Sequence, residues 1–243
     1  GGGSYPSVSN YTSSVDRIDY GNDTSTATPK GNLSRTTQNH GGASSRTGGY
    51  YFGRFPSVST VDRIDFDNDT ATAATKGNLT LARGYTASTG NNDFGYTGGG
   101  YPSVSTVDRL DYSNDTANTV EKGSLSVARY GLAATGNQSF GYFVGGQSKT
   151  TVDRVDYSSD TDTASPKGPL TGGTRYNTAT GNANFGYVSD GHPIPKTLIY
   201  RIDYSNDTET AVAKGPLAAG ATYRGATSSS DFGYFSGGQN PSS

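Results

Sequence analysis

Chemistry in this chain has to be found without cysteine and almost without histidine. With no Cys there is no thiolate nucleophile, no thiolate metal site and no disulfide. His40 and His192 are the only imidazoles and stand in unrelated surroundings. No Cys–His or Ser–His–Asp set can be built, so no catalytic residue, no cofactor and no enzyme activity is expected. Asp19 and Asp23 lie four apart in a recurring N-D-T element, but the alternating oxygen ligands and central Gly of an EF-hand are missing. A hairpin turn capped by its own side chains is the expected reading, with no metal ligand. The glycine doublets precede no helix and carry no G-K-S/T, which excludes a phosphate loop. What remains is aromatic rings, arginines and amides in connections that differ from copy to copy. One connection carries Phe55, Tyr101, Gln147 and His192. The other carries Arg83, Tyr85, Arg129, Tyr130, Arg175, Tyr176, Tyr223 and Arg224. Rings that stack on an apolar face while guanidinium and amide groups fix orientation suit sugar or peptide recognition. The alternative is plain packing of Tyr and Arg over the edges of the fold.

These residues are positioned by a repeat. T-V-D-R-I-D-F-D-N-D-T at Thr60–Thr70 returns from Val15, Val107, Val152 and Tyr200, with its arginine at Arg17, Arg63, Arg109, Arg154 and Arg201. The spacings are 46, 46, 45 and 47. A fixed period of this size marks one supersecondary unit copied in tandem. Five copies occupy the whole length and predict a single domain over residues 1–243.

Composition agrees with short strands and tight turns. Apolar residues are only 30%, yet 18 Tyr and 9 Phe can bury large surfaces, and 35 Gly supply the turns. A net charge of −2 with interspersed signs offers no basic stripe, so nucleic acid is not an expected partner. No long apolar run is present, which predicts no membrane insertion, and no signal peptide is visible. The chain opens G-G-G-S without methionine, which predicts a processed chain or a piece of a longer one.

The third copy shows the unit. Phe140–Gly146, Thr151–Tyr157, Thr161–Ser165 and Tyr176–Thr180 read as strands, with a turn at Ser158–Asp160 and P-K-G after the third. Four antiparallel strands per repeat describe a propeller blade. The chain ends predict closure, because D-F-G-Y-F-S-G-G at Asp231–Gly238 is the opening strand of a further unit. The first copy begins at Gly1–Gly3 without such a strand. An all-β, five-bladed β-propeller is expected, its ring closed by the C-terminal strand completing the first blade. Within V-D-R-I-D, Val61, Arg63 and Asp65 share one strand face, and Asp62, Ile64 and Phe66 the other. Buried arginine needs a carboxylate, so structural Arg–Asp pairs between blades are expected rather than an arginine ring facing a ligand.

The doublet Gly145-Gly146 followed by Arg154-Val155-Asp156-Tyr157 and a later arginine resembles the Kelch repeat, although the chain has no Trp for that family's third strand. The wording F-G-Y, V-D-R-I-D-Y-S-N-D-T and K-G-P-L is also similar to repeat proteins of marine bacteriophages. The Kelch resemblance implies that the two variable connections open together at the channel mouth. The phage resemblance implies a virion or extracellular setting. The expected function is a non-enzymatic binding or structural module, attaching to a host-surface glycan or protein or to a neighbouring virion protein. A free carbohydrate-binding lectin with repeated sites and a Kelch-type adaptor are the alternatives.

Overall fold

The computed structural model describes residues 3–4, 11–22, 24–192 and 197–239. The chain is all-β, broken only by two single 3-10 turns at Tyr112–Asn114 and Tyr157–Ser159 among the described residues. Two small antiparallel sheets come first, β1 (Gly3–Ser4) with β2 (Tyr11–Thr12) and β3 (Val15–Arg17) with β4 (Thr28–Lys30). Four four-stranded antiparallel meanders follow. They are β5 (Gly41–Ser44), β6 (Gly48–Arg54), β7 (Val58–Asp65) and β8 (Ala74–Thr75); β9 (Ala87–Gly90), β10 (Phe94–Gly98), β11 (Val107–Asp111) and β12 (Val120–Lys122); β13 (Ala133–Gly136), β14 (Phe140–Val144), β15 (Val152–Asp156) and β16 (Ser165–Pro166); and β17 (Ala179–Gly181), β18 (Phe185–Ser189), β19 (Ile199–Asp203) and β20 (Val212–Lys214). A last pair joins β21 (Gly225–Ser228) to β22 (Gly233–Ser236). This is a propeller-like series of sheets, one per repeat.

The boundaries differ from those expected in one instructive place. Thr161–Ala164 are turn and irregular chain, and the strand lies at Ser165–Pro166. Asp162 N–H is spent on its own turn, donating to Ser159 O at 3.2 Å, and Ala164 N–H on the preceding repeat, donating to Ser124 O at 2.8 Å. Tyr176 likewise precedes its strand, because it is in a left-handed turn with φ of 54°.

The hydrophobic core lies between sheets. Tyr50, Phe52, Val61 and Leu79 pack on Leu110 of the next sheet, and Tyr96, Val107 and Leu125 pack on Phe143, Val155 and Ala164. Both faces of the central strands are therefore covered, which is why V-D-R-I-D carries apolar residues on both.

Each junction is also polar and follows one recipe. Arg17, Arg63, Arg109 and Arg154 reach Asp69, Asp115, Asp160 and Asp207 of the following repeat at 2.7, 3.6, 2.8 and 2.8 Å. The lysine of the K-G turn joins the same carboxylate, Lys122 at 3.0 Å from Asp160 and Lys167 at 3.3 Å from Asp207. Tyr50, Tyr96 and Tyr142 donate their hydroxyls to Asp115, Asp160 and Asp207 at 2.9, 2.8 and 2.8 Å. The two aspartates of the recurring element thus divide the work. Asp111 and Asp156 cap their own turns by accepting from Ser113 N–H and Ser158 N–H, while Asp115 and Asp160 serve the preceding sheet. Asp19 caps in the same way, accepting from Gly21 N–H; Asp23 lies outside the described residues.

The glycine of the K-G turn is part of the joint. Gly77 N–H donates to Asp115 O at 2.9 Å and Gly123 N–H to Asp160 O at 2.8 Å. A Cβ at Gly77 or Gly123 would run into the backbone carbonyl of Ala117 or Asp162, so no larger residue fits.

Among the described residues the first blade is not completed: β22 carries no hydrogen bond to β3, and the two remain separate half-sheets. Each is held by its own neighbour. β3–β4 packs through Val15 and Leu33 on Ile64 and Ala73, whereas β21 packs beside β17. The consequence is visible at Tyr234, 58% exposed where its counterparts Tyr96 and Tyr142 are fully buried. Gly1 and Gly2, the remainder of the expected closure, lie outside the described residues.

Candidate functional site

The innermost strands β5, β9, β13, β17 and β21 line one cavity of about 1300 Å³. Its rim is set by the residue two or more positions before each of these strands, namely Asn39, Tyr85, Gly131, Tyr176 and Tyr223. All five are left-handed, with φ of 53, 55, 64, 54 and 58°. The cause is a chain of backbone hydrogen bonds running from repeat to repeat. Tyr85 N–H donates to Asn39 O at 2.7 Å, Gly131 N–H to Tyr85 O at 3.0 Å, Tyr176 N–H to Gly131 O at 2.7 Å and Tyr223 N–H to Tyr176 O at 3.3 Å. Glycine and asparagine accept this backbone readily, whereas tyrosine held there is strained by about 1–3 kcal/mol. Three of the five positions carry tyrosine regardless.

Those three rings seed a continuous aromatic surface. Tyr176 stacks on Tyr223 at 4.5 Å and meets Tyr85 at 5.7 Å. Gly131 permits this approach, since a Cβ there would stand 2.9 Å from the Tyr176 ring. Phe55 lies 5.5 Å from Tyr85, Tyr101 lies 5.5 Å from Tyr130, and Tyr130 lies 6.0 Å from Tyr85. His192 closes the series edge-on to Tyr176 at 6.3 Å. The two variable connections therefore meet, Gln38 bridging Phe55, Gly84 bridging Tyr101 and Arg175 bridging His192. Tyr101 and Tyr223 remain 47% and 45% exposed, so the surface is open to a ligand. Burial, then the neighbouring Tyr176 ring, pushes the Tyr223 hydroxyl above its ordinary range, and burial does the same to Tyr85. Both present neutral hydroxyls at any physiological pH.

The arginines separate into different roles. Arg83 and Arg129 are completely buried and pair with Asp108 and Asp153 at 3.0 and 2.8 Å. They are scaffold and do not reach the surface, which corrects their assignment as ligand-binding. Their burial is a matter of register. Counted from the left-handed turn, Arg83 and Arg129 stand two before it, Arg175 stands one before it and Arg224 one after it. Arg175 stays at the mouth, 5.1 Å over the Tyr176 ring, and its Nε donates to His192 Nδ1 at 3.0 Å. Arg224 lines the cavity and donates to the carbonyls of Ala221 and Ala219. Gln147 accepts from Ser103 Oγ at 2.8 Å. Residues that sequence reasoning missed are Asn39, at the fifth rim position, and Tyr51 and His40, which line the cavity with ring centroids 5.2 Å apart. Aligning the copies on the turn rather than on the Arg–Tyr dipeptide would have found Asn39.

Burial, and next the Arg175 charge, lower the His192 pKa below its ordinary 6.5. The imidazole is neutral at pH 7 and accepts from Arg175, and this contact is present above 6.5 and lost as pH falls through the depressed value. The His192 signal in an NMR titration is therefore expected to have its midpoint below 6.5 and to move upward in Arg175→Leu. A midpoint unchanged by Arg175→Leu would exclude the contact.

Among the described residues no group of three His, Asp or Glu side chains is placed to hold a metal ion, and no helix is long and apolar enough to cross a membrane. Neither a scan of family models nor a search of curated proteins returns a match to this chain.

Proposed function

We propose that this chain is a non-enzymatic recognition module, a five-bladed propeller whose ring closes through β22 and β3, and that it captures a host-surface glycan on the aromatic rim of its channel. The observation that carries the reading is the rim itself. Three tyrosines are kept in a backbone conformation that disfavours them, and their rings join Phe55, Tyr101 and Tyr130 into one half-exposed surface. A pyranose offers an apolar face to such rings, while Arg175, Arg224 and Asn39 border the same mouth as orienting groups. A virion or extracellular appendage is the setting in which such a module attaches to a cell. A neighbouring protein is the second reading, favoured by the unlike residues Phe55, Tyr101, Gln147 and His192 at matching positions, which break the five-fold equivalence.

Tyrosine fluorescence is an undisturbed probe because the chain has no Trp. Titration with a panel of soluble oligosaccharides is expected to perturb it, and Tyr223→Ala and Tyr101→Ala to weaken binding about 30-fold with the fold intact, the loss of one aromatic anchor worth about 2 kcal/mol. Normal capture by both variants would sink the reading. A silent sugar panel with capture by a purified appendage protein would favour the second.

A further inference from the structure

The seam between the two half-sheets contains a socket for one particular side chain. At three junctions the tyrosine ending R-x-D-Y crosses to the preceding sheet and stacks on the tyrosine of its G-Y pair: Tyr112 on Tyr50, Tyr157 on Tyr96 and Tyr204 on Tyr142, at 4.7, 4.5 and 4.7 Å. The socket of Tyr204 is made by Thr135, Tyr142 and Gly186. Its hydroxyl lies 2.9 Å from Thr135 Oγ1, and a Cβ at Gly186 would stand 2.8 Å from that hydroxyl. One repeat further on, the same three positions are Thr180, Tyr187 and Gly233. There they line an unfilled cavity of about 210 Å³. Of the two remaining repeats, one carries Phe66 at the crossing position and the other Tyr20, which is 86% exposed.

We infer that this cavity is the receptor for Tyr20 of the same chain, an assignment that rests on the five-bladed reading. Among the described residues, further contacts of the repeat go unmade on this one seam. The K-G glycines at Gly31, Gly77, Gly123 and Gly168 each abut the backbone of the next sheet, whereas Gly215 meets nothing within 4 Å. The rim's chain of hydrogen bonds stops at Asn39, whose N–H has no described acceptor. Docking in the register of Tyr142 opposite Arg154 places Tyr234 opposite Arg17 and brings it over the half-exposed Phe66. The occupant comes from the same chain because β5 and β21 already line a single cavity with β9, β13 and β17, so the two half-sheets face one gap. A smaller aliphatic occupant would leave the Thr180 hydroxyl without its partner and Tyr187 without a stack.

The absence of native cysteine makes the test clean. In Asp16→Cys with Phe235→Cys, at positions opposed as Phe143 is to Asp153, mild oxidation of dilute protein is expected to give an intrachain disulfide in a monomer, seen by non-reducing electrophoresis and peptide mass mapping. A second pair, Val15→Cys with Ser236→Cys, repeats the measurement if the first folds poorly. Adding Tyr20→Ala is expected to slow crosslinking at least tenfold, and Tyr20→Phe to leave it within about twofold. Crosslinking that ignores Tyr20→Ala would keep the ring and overturn the socket. Disulfide-linked dimers, or no disulfide in either pair, would overturn both. None of these readouts involves a ligand, so they fail separately from the recognition proposal.

Discussion

Arg129→Met is expected to destabilise the fold by about 3–5 kcal/mol, because it strands a carboxylate in a fully enclosed place. Arg129 and Asp153 are both 0% exposed and 2.8 Å apart. Asp153 also accepts from Ser126 N–H and Oγ, at 3.0 and 2.6 Å, and Arg129 donates to the Val127 and Phe143 carbonyls at 3.1 Å each. Methionine fills the volume of the arginine stem but satisfies none of these acceptors. The midpoint of urea unfolding should fall accordingly. Arg175→Met, at the half-buried mouth, should change stability by less than about 1 kcal/mol. An unchanged midpoint in Arg129→Met together with lost ligand capture would return Arg129 to the binding surface.

The second large effect is expected at the joint between sheets. Asp160 gathers Tyr96, Arg109 and Lys122 from the preceding repeat at 2.8, 2.8 and 3.0 Å. Asp160→Ala removes the common acceptor and leaves a buried tyrosine hydroxyl unsatisfied. Its cost is about 2–4 kcal/mol, reduced from a fully enclosed pair because Arg109 keeps some contact with water. The same residue shapes the acid limb. Burial alone would raise the Asp160 pKa, but the hydrogen bonds from Tyr96 and Lys122 and the charges of Arg109 and Lys122 outweigh it and hold the carboxyl below its ordinary range. A carboxylate with a depressed folded pKa contributes stability above its unfolded value, near 3.9, and loses it as pH falls through the folded value. Stability measured between about pH 2 and 6 should therefore slope less steeply in Asp160→Ala than in the parent. Parallel slopes would show that Asp160 is not held this way.

The period of the arginines carried most of the architecture, because a motif kept in every copy meets the same kind of neighbour at each of the four junctions where its arginine pairs with an aspartate. Arg63, Arg109 and Arg154 could be read as inter-sheet partners of aspartate from burial cost alone. Which aspartate could not. Asp111 and Asp115 look alike in sequence, yet one bends back to cap its own turn and the other crosses to the preceding sheet. The rim was legible as aromatic but misread in register. Arg83-Gly-Tyr85, Arg129-Tyr130, Arg175-Tyr176 and Tyr223-Arg224 look like one motif, although the left-handed turn falls on Tyr85, Gly131, Tyr176 and Tyr223. Tyrosine does not announce a positive φ, so sequence offers no signal of where the turn sits. That shift by one or two residues is what sends Arg83 and Arg129 inside and leaves Arg175 outside.

The joint between sheets has a direction. Arginine, lysine and tyrosine always lie on the earlier repeat and the aspartate on the later one, so a donor edge can meet only an acceptor edge. Two such edges of one kind cannot face each other across a two-fold axis, so polarity excludes an isologous contact in which one edge pairs with its own copy. Any association of copies through it has to be head-to-tail, a geometry that either returns on itself or propagates as a filament. Self-docking of the first half-sheet on the last would therefore act as chain termination, keeping a polymer-competent edge occupied within a single molecule.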